Sequence, residues 1–230
     1  MSQHKQMTLP ILYDRIKARV AKYVLGIDSY ALIVVDMYRR TEEAAGPYKE
    51  VHTRRLMPED MPLVVVSFPD RERIFQERFK IAGFEGWLIF VGTALIGFIW
   101  IATRDFYEGD IARTVKVREK HAFSVDFFIA KDKRFGLAGH HAIWQIMDSY
   151  YLRGFARCDN LVHVKNRKSL MFHTFLGSSD TLEGVSVLRV LGKAVLSWDV
   201  RRTQPLIKQR TKDREPPDLM PPVEPATAHG

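Results

Sequence analysis

The sequence predicts a single-pass membrane protein: one central transmembrane helix, a mostly helical N-terminal region and a small mixed α+β C-terminal domain. Two observations carry that fold class. From Gly86 to Thr103 (GWLIFVGTALIGFIWIAT) there is no charge, Pro, Asn or Gln, and an apolar stretch approaching about 20 residues spans the hydrocarbon layer as a helix. Aromatic side chains stand at its ends, with Trp87 at one and Trp100, Phe106 and Tyr107 at the other, where amphipathic rings favour the headgroup zone. Glu85 and the Arg104–Asp105 pair bracket the run. Average composition conceals it, since a hydrophobic content of 46% is ordinary for a folded soluble chain.

The elements follow in order. Within an N-terminal region over 1–69, Leu9 to Leu25 is a basic amphipathic stretch with Leu12, Ile16, Val20 and Val24 at helical spacing. It reads as an organelle-targeting or membrane-surface helix, or as the first packed helix of a domain. Asp28 to Ala45 is expected as a helix capped by Asp28, with Leu32 to Val35 equally able to form a short strand. Gly46–Pro47 ends it, and a connector with Pro58 and Pro62 leads to the apolar run Leu63 to Phe68. Residues 70–83 form a charged amphipathic pre-membrane helix with Ile74, Phe75, Phe79 and Ile81 on its apolar side. The span covers 84–104.

Beyond it, a domain over 105–202 begins with a strand-like segment, Phe123 to Ala130, then a helix from Leu137 to Leu152 striped by Ile143, Ile146, Met147 and Tyr150. Leu161–Lys165 and Ser169–Phe175 around Asn166–Arg167–Lys168 read as a hairpin. Asp180 with Glu183 reads as the start of a helix running to about Val200. The tail over 203–230, rich in Pro, buries too little apolar surface to fold alone.

Chemistry-bearing motifs are sparse. There is no GxSxG, P-loop, GxGxxG or CxxCH, so no catalytic, cofactor-binding or metal residues and no cofactor are expected. His140 and His141 are adjacent, which on a helix points them apart rather than at one metal. Cys158 is the single cysteine, excluding an intramolecular disulfide. What the span offers is a docking face of small residues, Gly92, Thr93, Ala94 and Gly97, that lets another helix approach. A net charge of +8 points to anionic lipid as a partner, beside other subunits of a large membrane complex, and not to nucleic acid, for which no binding motif is present.

The run and its exit resemble cytochrome c oxidase subunit IV: Trp87, Val91–Gly92, Ala94 and Gly97–Phe98, then an aromatic exit leading to Gly109, Ile111 and Thr114. The resemblance implies a non-catalytic accessory subunit of the mitochondrial inner membrane and its respiratory chain, with a structural or regulatory role in complex assembly. Alternatives of the same layout are a bitopic scaffold of a bacterial secretion or conjugation machine, and an accessory subunit of another complex such as ATP synthase. A third reading is an enzyme using some of His140, His141, Asp148, Cys158 and His173.

Overall fold

The uncharged run that predicts a membrane helix folds as a β-hairpin. The computed structural model describes residues 25–37, 50–130 and 138–207. In it, strands β3 (Phe84–Val91) and β4 (Ala94–Ala102) lie antiparallel, joined through Gly92 and Thr93. Gly92 takes φ +56, the left-handed conformation that a two-residue hairpin loop asks of its first position. The run mimics a span because both faces of the hairpin are buried. Phe98, Trp100 and Ala102 enter one core while Ile99 and Ile101 enter another, so the polar alternation of a half-exposed strand is missing.

Among the described residues no helix is long and apolar enough to cross a membrane. The single-pass fold class and the inner-membrane location that followed from it are corrected accordingly. So are the residue roles. Thr93 sits in the hairpin turn, Ala94 opens β4, and Gly97 faces a neighbouring strand instead of a second helix. Trp100 and Phe106 are core residues; Trp87 packs on Tyr150 with ring centroids 6.2 Å apart, and only Tyr107 is largely exposed.

Eight strands form one sheet in the order β10-β9-β1-β8-β7-β4-β3-β2. Its remaining members are β1 (Leu25–Asp36), β2 (Val51–Arg55), β7 (His121–Ile129), β8 (Arg157–His163), β9 (Ser179–Val190) and β10 (Lys193–Arg201). Every neighbouring pair is antiparallel except β7 and β8. A parallel pair needs a crossover, here made by helix α3 (Ala138–Tyr151). Helix α3 and helix α4 (Arg167–Phe175) cover one face, through Ile143, Met147 and Leu170. Helices α1 (Met61–Ser67) and α2 (Glu72–Arg78) cover the other with Val64 and Phe75, beside a hairpin of β5 (Phe106–Glu108) and β6 (Arg113–Val115).

The strand near Phe123 and the helix near Leu137–Leu152 form as expected. The charged helix of 70–83 is shorter, beginning after a 3-10 turn at Pro69–Arg71. Asp28–Ala45 contributes strand β1 in place of the expected helix, because Ala31 and Ile33 pack against α4 while Tyr30 and Leu32 face the opposite core. Ser169–Phe175 is helical because the Asn166 side chain accepts a hydrogen bond from Ser169 N at 3.2 Å, an N-cap outside any hairpin. The helix expected from Asp180 to Val200 is the β9–β10 hairpin. Leu191 and Gly192 turn it with φ 49 and 78, and Asp180 binds Arg202 and the Leu182 amide instead of starting a helix. The stretch Leu9–Val24 and the tail from Lys208 lie outside the described residues.

Gly97, like Gly184 of β9, is a place where the sheet tolerates little change. A Cβ there would stand 2.4 Å from the Phe128 carbonyl oxygen, closer than any real contact. Gly97→Val is expected to lower unfolding free energy by about 2–3 kcal/mol, read from urea midpoints; a loss under about 0.5 kcal/mol would show that the close approach is dispensable.

Candidate functional site

The parallel ladder between β7 and β8 runs only from His121↔Arg157 to Ser124↔Asn160. Beyond it both strands continue, β7 held by β4 out to Ile129 and β8 held by β1 out to His163. The sheet therefore opens along its own middle. The cause lies in β7, where the pairing with β4 jumps from Trp100↔Val125 to Phe98↔Phe128. Asp126 and Phe127 stand opposite Ile99 alone, a β-bulge, which bends the strand and sharpens its twist. Asp126 adopts φ 53, a left-handed conformation that Asp tolerates better than most residues. Its carboxylate pairs with Arg78 of α2 at 3.0 Å, and the same guanidinium holds Glu108 at 3.2 Å. One arginine thus ties the bulge to the β5–β6 hairpin.

Two cavities flank this opening, one on each face of the sheet. On the α3–α4 face a pocket of about 150 Å³ reaches Ser124, Asp126, Cys158, Asn160, Ser169 and His173. On the opposite face a cavity of about 590 Å³ lies under β6, over Phe123, Asp159 and Leu161. Leu161 lines both. The first turn of α3 stands at the open end of the gap: Gly139 approaches Ile129 so closely that a Cβ would lie 2.9 Å from Ile129 Cδ1.

Asp159 anchors the closed end. Its side chain is 4% exposed and accepts hydrogen bonds from Arg118 Nη2 at 2.9 Å and 3.0 Å. His121 Nδ1 lies 3.0 Å from the same carboxylate.

Of the residues in the enzyme reading, Cys158 and His173 line the smaller pocket together. His140 does not; it packs on the Phe172 ring, centroid to centroid 4.3 Å. Neither His141 nor Asp148 of α3 lines either cavity. Burial pushes the Cys158 thiol up to about 12, with Asp159 reinforcing the shift, so no thiolate nucleophile is present at neutral pH. Burial lowers His173 to about 4, helped by repulsion from His140, and its Nδ1 meets Ser178 Oγ at 3.2 Å. Among the described residues no three His, Cys, Asp or Glu side chains group as a metal site. His121, Asp126 and Asp159 escape sequence reasoning; the local signal available was the βα junction after Phe123–Ala130. There KDKRFGL brings Lys131, Lys133, Arg134 and Gly136 ahead of a helix.

No family model matches the chain, and no curated protein matches it. Among solved structures it is similar to a Novosphingobium aromaticivorans protein assigned to the GNAT family of acetyltransferases. The identity is 10% and the TM-score 0.48, over 72% of this chain and 65% of that one. It is also similar to the GCN5-related glucosamine N-acetyltransferase region of a fungal β-N-acetylglucosaminidase (14%, TM-score 0.47), over 78% of this chain and 24% of that one. A Drosophila protein is similar at 14% identity and TM-score 0.44, over 81% of this chain and 59% of that one. TM-scores below 0.5 carry no argument about activity.

The resemblance to cytochrome c oxidase subunit IV does not stand. Trp87, Val91 and Gly97–Phe98 lie on antiparallel strands and not on a membrane helix. The accessory-subunit role and the respiratory-chain and secretion-scaffold assignments rested on that helix and fall with it, and the non-catalytic reading loses the resemblance that implied it.

Because His173 is neutral when folded and its pKa is depressed, its contribution to stability is complete above about pH 6.5 and is lost as pH falls toward about 4. His173→Asn, which keeps a partner for Ser178, is expected to flatten the loss of stability between pH 7 and pH 4.5 by about 2–3 kcal/mol. Urea midpoints across that range measure it; parallel curves for both proteins would refute it.

Proposed function

We propose that the chain is an acyltransferase that seats an acyl thioester between the diverging β7 and β8 and passes the acyl group to a nucleophile entering from the opposite face. The observation that carries this reading is the pair of cavities, one on each face of the sheet, that flank the end of the β7–β8 ladder and share Leu161 in their walls. Strand edges separated in this way accept an extended chain that hydrogen-bonds as a strand would. The pantetheine arm of coenzyme A is such a chain, extended, with two amides and a terminal sulfur. The start of α3 suits its phosphates, since helix N-termini favour anions.

Transfer is direct in this reading. Cys158 lies at the opening but stays a protonated thiol, so a covalent acyl-cysteine has no nucleophile to form it. The acceptor lone pair forms a bond to the acyl carbon, the carbon–sulfur bond breaks, and the proton lost by the acceptor ends on the departing sulfur. His121, held by Asp159, lies on the acceptor side of the sheet as a base of the ordinary kind.

Isothermal titration with coenzyme A and acetyl-coenzyme A is expected to give a Kd in the range of about 1–100 μM. Ser169→Trp, which fills the smaller pocket, should weaken binding at least about tenfold with the circular dichroism spectrum unchanged. Cys158→Ala should bind normally. No heat with either ligand, or unaltered binding by Ser169→Trp, would overturn the reading. Native protein is also expected to resist iodoacetamide at pH 7.5 and to react once unfolded, as mass spectrometry would show.

A further inference from the structure

The larger cavity indicates what the acceptor is. Its floor is apolar sheet surface, with Leu32 of β1, Phe123 of β7, Leu161 of β8 and Val185 of β9, and its volume of about 590 Å³ is that of a small-molecule site. Most charges around it are already matched. Arg113 of β6 meets Asp199 of β10 at 2.6 Å, clasping the β5–β6 hairpin to the edge of the sheet. Arg118 meets Asp159 at 2.9 Å, and Lys116 meets Asp105 at 2.6 Å.

Two charges are left over. Glu183 of β9 and Arg201 of β10 face one another in register and both line the cavity. Among the described residues neither side chain is held in an ion pair. A carboxylate beside a guanidinium, each with bonding capacity to spare, matches a ligand that carries an ammonium and a carboxylate side by side. From this pair to the opening at β8 the floor crosses β1, a distance of about 10 Å at ordinary strand spacing. The surface between is apolar.

We infer that the acceptor is an α-amino acid whose side chain is an alkyl stem ending in an amine, of the lysine or ornithine type. The inference rests on the acyl-transfer reading for its chemistry. The α-carboxylate lies on Arg201, the α-ammonium on Glu183, and the stem along Leu32 and Leu161. The terminal amine, deprotonated, reaches the β7–β8 opening. There its nitrogen bonds to the acyl carbon as the carbon–sulfur bond breaks, and its proton ends on the thiolate sulfur. Asp159 lines that end of the cavity, with His121 and Arg118 held against its carboxylate.

Three probes separate the parts: L-lysine; L-norleucine, which keeps the headgroup and stem; and 1,5-diaminopentane, which lacks the carboxylate. Calorimetry on the full chain is expected to show lysine and norleucine binding within about threefold of each other and the diamine at least about tenfold weaker. With acetyl-coenzyme A present, only lysine should gain an acetyl group on its side-chain nitrogen. Glu183→Gln and Arg201→Gln, both at the exposed rim, should each weaken lysine at least about tenfold while binding coenzyme A unchanged. Equal affinity for lysine and the diamine, no lysine binding at 10 mM, or indifference to both substitutions would overturn the inference. Lysine binding that follows this pattern without any binding of coenzyme A would leave the amino-acid site standing and remove the acyl-donor reading instead.

Discussion

A single mismatch in strand β7 governs the sheet. Asp126 and Phe127 occupy the length that Ile99 alone occupies on β4, so β7 bends away from β8 just past Ser124. A parallel ladder has evenly spaced, slanted hydrogen bonds and cannot follow such a bend. It stops. Two neighbours make the bend possible: Gly97, whose missing side chain admits the Phe128 carbonyl, and Arg78, which reaches from α2 to hold the Asp126 carboxylate. The opening is thus built into the backbone of a strand whose other edge is paired with β4 on both sides of the bulge.

Around that opening the fold is fastened at its margins by carboxylates paired with arginine. Hydrogen bonds from His163 and Arg189 hold Asp28 below the usual carboxylate range and join β1 to β8 and β9. Burial works against ionising Glu85 and Asp180, yet hydrogen bonds from Arg153 and Tyr150 to the first, and from Arg202 to the second, outweigh it. These ties secure the C-terminal end of α3 against β3 and the last strand against β9. In the middle of the sheet the corresponding tie is Asp159 of β8, which holds His121 of β7 and Arg118 at the closed end of the gap.

The sequence was readable where an element met a single environment. Helix α3 has one apolar stripe and one polar side, and strand β7 is a short aromatic and β-branched run, so both appear near their expected places. It was misleading where an element met two. The β3–β4 hairpin is covered by α3 on one face and by α1 and α2 on the other, which erases the alternation that distinguishes strand from helix. The β9–β10 segment carries Val185, Val187, Leu188 and Val190 at spacings that fit either periodicity. Only the turn at Leu191–Gly192 decides between them. Cys158 and His173 were named as candidates on residue type, whereas Asp126, Asp159 and His121 were not, because nothing local distinguishes them from surface polar residues.

By itself the sequence determined the local facts: a long uncharged apolar run with a glycine in it, a helix after Gly136, a single cysteine, and a basic surplus. Those follow from composition and near-neighbour spacing, which a linear chain displays directly. The tertiary structure alone decided that the apolar run is a hairpin buried within a sheet, that β1 lies between β8 and β9, and that cavities on both faces share Leu161 in their walls. Each depends on pairing between residues far apart in the chain. The register of such pairing is set by packing on both faces of the sheet together.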